Sequence, residues 1–179
     1  DGGTVGSCAL DRSATIGLEL AHRFAVLCAR VPQPAMVVAL AARWRVPVAC
    51  RELAMLVVRE AATRAQADTL DASARVDWFL RTDALRRPAR LADALRVWNC
   101  VLVCQGHGTP VDDEREKPDP VGLPPLEAGL LADLEAARAV DAGAIASSAP
   151  STAQIPARLR SARIAAVAAA MSRRRLPHA

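Results

Sequence analysis

An all-α chain is predicted on three observations. Ala supplies 39 of the 179 residues and Gly only 9. Ala loses least on entering a helix, whereas strands favour β-branched and aromatic side chains. Aromatic residues are confined to Phe24, Phe79, Trp44, Trp78 and Trp98, and Tyr is absent. Apolar residues recur at spacings of three and four along most of the chain, which places them on one face of a helix. The length suits one compact domain, or a small domain with an appendage, and suffices to bury a core.

The elements follow in order. After a Gly-rich start from Asp1 to Gly6, residues 14–28 place Ile16, Leu20, Phe24 and Leu27 on one helical stripe. Pro32 and Pro34 break it. Pro34 and Pro47 each introduce a helix-favouring segment, 35–45 and 48–66, because a first helical turn has no use for the N–H that Pro lacks. Residues 70–84 carry Leu70, Ala74, Trp78 and Phe79, and Pro88 opens a segment striped with Leu91, Leu95, Trp98 and Leu102. From Gly106 to Pro125, Gly, Pro and the acids Asp112, Asp113, Glu114, Glu116 and Asp119 leave little to bury, so a solvated linker is expected. Leu130, Leu131 and Leu134 mark a helix over 126–140, a polar break follows at 147–152, and a last helix is expected around 155–171. The expected organisation is a helical domain over 1–105, a linker over 106–125 and a helical tail over 126–179. The three Trp are expected in the core.

Charge narrows the partners without fixing one. Twenty-two Arg and the single Lys117 stand against 19 acids, a net charge of +4. Arg is a forked donor suited to phosphate, yet Arg in place of Lys beside abundant Ala also reflects a GC-rich coding sequence, and the larger share of the excess goes to that bias. The informative part is local: no acid occurs from Pro156 onward, while Arg158, Arg160, Arg163 and Arg173 to Arg175 do. Such a segment attracts phosphate backbones, or is simply a solvated helix face with a basic tail.

Catalytic signatures are missing. The five Cys (8, 28, 50, 100, 104) are odd in number and unpatterned, so reduced thiols in a cytoplasm are expected. Cys100 and Cys104 share a helical face and would hold a soft metal only with two further ligands; buried structural thiols are the simpler reading. The three His (22, 107, 178) are scattered, and His107 between glycines reads as a loop residue. No Gly-rich phosphate loop or Gly-x-Ser-x-Gly elbow is present. No apolar run reaches the roughly 18 residues of a membrane span. No secretory signal is found, and the first residue is Asp1 rather than Met, as in a fragment or processed product.

Several strings in register go further. Arg23-Phe24-Ala25-Val26-Leu27-Cys28, Arg45 to Ala54 (RVPVACRELA), Asp83 to Arg90 (DALRRPAR), Ala139 to Ile145 (AVDAGAI) and Ala162 to Val167 (ARIAAV) resemble the C-terminal half of the multifunctional CCA proteins of proteobacteria. These are tRNA nucleotidyltransferases with an attached HD phosphohydrolase domain. The resemblance implies an HD-like multi-helix bundle followed by a small helical tail. It also implies a complete protein that adds C, C and A to the 3′ end of tRNA in an N-terminal head using ATP, CTP and Mg²⁺. The Gly-Ser and Asp-x-Asp signature of that head is not in this chain. An intact HD domain would further use a divalent metal to hydrolyse 2′,3′-cyclic phosphates.

Departures from the family pattern fall on the metal chemistry. Ala29 and Arg30 stand where the family has its His-Asp pair, and Val5 where it has an upstream His. The Leu-Gly-Lys turn and His-x-Gly-His motif are missing from the stretch Val31 to Arg43. Asn99 to Val103 offers Cys and Val where an acidic ligand is expected, and Ala61 stands where a His follows Arg-Glu. Apolar side chains supply no ligand, and a guanidinium repels a cation. The expectation is a chain with no catalytic residue, no metal site and no cofactor of its own. It would contact tRNA through Arg86, Arg87 and Arg90 around Pro88 and Arg158, Arg160 and Arg163 on the last helix. The alternative is a silent association domain packed against a nucleotidyltransferase head; an active HD phosphohydrolase ranks last. A cytoplasmic location is expected, and the oligomeric state is left open.

Overall fold

The computed structural model describes residues 2–106 and 124–175, with side chains from residue 6 onward. The fold is all-α, as predicted: helices and turns occupy the described residues, with no strand among them. The body of the expected acidic linker lies outside them.

Two compact units divide the chain: Asp1–Ala65 with Arg90–Pro124, and Gln66–Ala89 with Pro125–Ala179. This partition cuts across the expected sequential one, because residues 66–89 pack with the C-terminal helices.

The first unit contains α1 (Gly2–Thr15), α2 (Leu20–Cys28), α3 (Pro34–Arg43), α4 (Val48–Ala65) and α6 (Pro88–Cys104) from Arg90 onward. The stripe expected over 14–28 is cut in two. Gly17 adopts φ +71°, and Leu18 N–H reaches back to Ser13 C=O at 2.9 Å, the closing bond of a left-handed helix end. Helix α1 itself occupies the Gly-rich start, where the sequence marks no element. Pro34 sits in the first turn of α3, as expected. Helix α2 packs on α1 and α4, and α3 on α4. Phe24, Ala25, Val26 and Cys28 from α2, with Ala54, Leu56 and Val57 from α4, are buried. So are Leu91, Leu95, Val97 and Trp98 of α6.

The second unit contains α5 (Ala72–Arg81), α7 (Pro125–Arg138), α8 (Ala142–Ser148), a 3₁₀ turn (Thr152–Gln154) and α9 (Ile155–Arg175). Asp71 caps α5 by accepting from Ala74 N–H at 2.7 Å, and Asp141 caps α8 by accepting from Ala144 N–H at 3.0 Å. Helix α9 contacts α5, α7 and α8. Val76, Trp78 and Phe79 of α5, Leu130 and Leu134 of α7, and Val167 of α9 are fully buried or nearly so.

Two expectations need correction. Trp78 and Trp98 are core residues, but Trp44 is 53% exposed. It meets Phe24 edge-on, ring centroids 6.5 Å apart, at the surface end of α3. The thiols are not all reduced either: Cys8 and Cys104 form a disulfide, while Cys28, Cys50 and Cys100 are free and buried. The packing of the first unit brings α1 and the end of α6 to a Cα separation of 5.9 Å across 96 residues of sequence, a proximity that spacing within one helix cannot reveal.

Candidate nucleic-acid interface

The six arginines singled out by charge are placed very differently. Arg86 and Arg87 follow α5, in a turn where Asp83 holds φ +57° and Ala84 N–H closes onto Phe79 C=O. Both side chains are exposed, at 74% and 57%, and both lean on Asp83, at 3.2 and 3.7 Å. Exposed pairs of this kind are worth ~0–1 kcal/mol, so a competing phosphate meets little resistance. Arg90 lies beyond the unit boundary in α6, half-buried.

On α9 the charges are largely engaged. Arg160 grips Asp77 with two nitrogens, at 2.7 and 3.0 Å, and adds Ser73 Oγ at 3.0 Å, fastening α9 to α5. The hydrogen bonds to Asp77 favour the charged guanidinium and raise its pKa. Arg158 donates to Ser148 C=O at 2.8 Å, covering an orphan carbonyl at the end of α8. Arg163 is half-buried, and its Nε lacks a partner among the described residues. Arg158 and Arg160 thus serve different neighbours, so the acid-free helix does not present one continuous basic face.

Charge counting also misses the ion cluster at the centre of the second unit. Asp133 on α7 is fully buried and accepts from Arg75 of α5 and Arg174 of α9. Arg75 further donates to the carbonyls of Leu70 and Ala67, at 3.1 Å each. The only sequence signal is an Asp within an apolar helical stripe.

Ala29 caps α2, Arg30 is exposed, and Cys100 is buried. Nearby, His22 Nε2 meets Asp93 Oδ1 at 3.1 Å, and Arg96 reaches the same oxygen at 3.0 Å. The Asp93 carboxylate is thus shared between His22 and the Arg96 guanidinium. Among the described residues, no group of three or more His, Cys, Asp or Glu has a metal-binding arrangement. No described helix is long and apolar enough to cross a membrane.

No family model matches the chain, and no solved structure does. Curated proteins do. The chain is 41% identical to a multifunctional CCA protein of Aromatoleum aromaticum over 132 residues, 73% of this chain and 30% of that protein. It is 34% identical to one from Laribacter hongkongensis, over 95% of this chain and 44% of that protein. A third, from Cupriavidus taiwanensis, is 43% identical over 71% of this chain and 28% of that protein. The chain therefore spans less than half the length of these relatives.

Proposed function

Since this chain is a homologue of the multifunctional CCA proteins of proteobacteria, we propose that it is a helical, non-catalytic region that contacts tRNA in the addition of CCA to its 3′ end. The observation that carries the reading is the likeness to the Laribacter hongkongensis protein along 95% of the chain. The net charge of +4 and the exposed Arg86 and Arg87 support an RNA partner. In this reading the polymerising chemistry, with its ATP, CTP and Mg²⁺, belongs to a head outside this sequence, and the protein works in the cytoplasm. The chain itself binds no divalent ion in stoichiometric amount and turns over no 2′,3′-cyclic phosphate; Ala29 and Arg30 support this.

Filter binding of the full chain to a tRNA transcript across a salt series tests the reading. Affinity falls with salt, and replacing Arg86 and Arg87 by Gln lowers the slope of log K against log salt by about two, one for each phosphate that the variant no longer neutralises. Absence of salt-dependent binding overturns it.

One observation favours a silent association domain instead. In the first unit Leu20, Leu27 and Trp44 are 66%, 45% and 53% exposed. Leu20 and Leu27 flank Phe24 on one face of α2, and Trp44 meets the Phe24 ring. If tRNA binding fails while the chain captures an isolated nucleotidyltransferase head, and Trp44→Ser abolishes capture, this second reading holds.

A further inference from the structure

Helix α1 is joined to the rest of the first unit in an uneven way. It packs on α2, and of its described side chains only Ala9 and Ser13 are buried. The side-chain hydrogen bonds described for it stay within the helix: Ser7 donates to the Asp11 carboxylate, Thr15 to Asp11 C=O and Ser13 to Leu10 C=O. Its covalent tie across the fold is the Cys8–Cys104 disulfide, which reaches the last residue of α6. We propose that this disulfide is a redox-controlled latch: oxidised, it holds α1 closed on the first unit; reduced, it lets α1 lift away about Gly17.

Without the bond, little secures the helix. Two small buried side chains withdraw little apolar surface from water, so packing alone holds α1 weakly. Gly2, Gly3 and Gly6 lower the stability of the helix itself. A helix of 14 residues with that composition does not persist on its own in water. The disulfide supplies what is missing, because it keeps α1 beside α6 at an effective concentration that weak packing cannot reach.

The bond is open to exchange. Cys8 is exposed and Cys104 half-buried, whereas Cys28, Cys50 and Cys100 are buried. A low-molecular-weight thiolate attacks the Cys8 sulfur, the Cys8–Cys104 bond breaks, and Cys104 leaves as a thiolate that takes a proton from water. A second thiolate then releases Cys8 from the mixed disulfide. The balance is two external thiols converted to one external disulfide, and one protein disulfide converted to two protein thiols. The reverse exchange with an external disulfide re-forms the latch.

A hinge and a hidden group complete the device. Gly17 holds φ +71° between α1 and α2, and a Cβ built there would meet nothing within 4 Å, so no neighbour crowds the turn. Arg12 lies one turn beyond Cys8 on α1, and Cys100 one turn before Cys104 on α6; the Arg12 charge acts on the Cys100 thiol. The two helices therefore face each other over at least a turn, with the free, buried Cys100 beneath α1. Lifting α1 uncovers that thiol.

The test follows hydrogen exchange of the full chain by mass spectrometry, purified without reductant and then treated with a water-soluble phosphine. Reduction, confirmed by intact mass, is expected to speed exchange in residues 6–15 by about tenfold or more while α4 stays protected. Iodoacetamide should then label Cys8 and Cys104 first, and Cys100 faster than Cys28 and Cys50. Re-oxidation with a small-molecule disulfide should restore the protection of α1. Cys104→Ser should show the open pattern without reductant; if that variant does not fold, the reduced wild type carries the test alone. Unchanged protection of α1 after the bond is broken would overturn the proposal. So would joint loss of protection in α1 and α4, which marks a global staple rather than a latch. An α1 that loses protection while Cys100 stays no more reactive than Cys28 is frayed in place, not lifted, and overturns it too. Free thiols at Cys8 and Cys104 in the air-exposed chain would do the same. None of these outcomes depends on tRNA binding.

Discussion

Arg75 and Asp133 are 58 residues apart in sequence and form an ion pair almost sealed from solvent, with side-chain exposures of 6% and 0%. Arg174 joins from a third helix. Removing one member of such a group strands the others in a medium that solvates them poorly, whereas replacing the whole group by apolar residues need not cost stability.

Asp133→Asn is therefore expected to destabilise the protein by about 3–5 kcal/mol in urea titration. Combining Arg75→Met, Asp133→Leu and Arg174→Met should recover most of that loss. A single-variant effect below about 1 kcal/mol, the range of exposed pairs, would show that water reaches the cluster.

Acid sensitivity should centre on Asp93. Its hydrogen bond from His22, with help from the charges of His22 and Arg96, holds its pKa below the ordinary aspartate value against the opposing effect of burial. A carboxyl that is more acidic in the folded state contributes stability above its unfolded pKa, and the contribution is lost as pH falls through the lower folded value. Asp93→Asn should lower the melting temperature at neutral pH, and the gap to wild type should close below about pH 4. A gap that stays constant down to pH 2 would rule out this account.

Thiol reactivity reports on the first unit. Burial pushes the Cys28 thiol up to about 11 and raises Cys100 as well, so little thiolate is present at pH 8. Without reductant, the native protein should resist alkylation and the unfolded protein should take up three labels, at Cys28, Cys50 and Cys100. Five labels on unfolding would mean that Cys8 and Cys104 are not joined. Cys8→Ser should cost about 2–5 kcal/mol under oxidising conditions and far less under reducing ones.

Arg45 closes α3 with φ +53°, and Val46 N–H bonds to Ala41 C=O across it. A side chain in this left-handed region is strained, and Gly is the residue that relieves it. Arg45→Gly should leave the protein as stable or up to about 1 kcal/mol more stable, the strain relief being offset in part by added freedom of the unfolded chain. Clear destabilisation would mean that the Arg45 side chain makes a stabilising contact.

Much of the helical order is legible in the sequence because local rules decide it. Pro34, Pro47 and Pro88 announce α3, α4 and α6, and α4 starts at Val48 as its Pro predicts. Helix α1 is hidden because Gly2, Gly3 and Gly6 argue against a helix locally, and α8 because seven residues give no stripe. The candidate interface is legible only as charge. Spacing finds Arg158 and Arg160, but their partners are Ser148 and Asp77, and Asp77 lies 83 residues from Arg160. The Cys8–Cys104 bond and the Asp133 cluster are illegible for the same reason: each joins segments that only the tertiary fold brings together.

The interleaving of the two units sets a schedule for synthesis. Residues 66–89 leave the ribosome between the two halves of the first unit, carrying Trp78 and Phe79, which are fully buried in the finished protein. Helices α7 and α9, against which α5 packs, do not yet exist at that moment. The nascent chain must therefore hold a sticky helix in waiting while α6 completes the first unit, a window in which chaperone capture competes with folding.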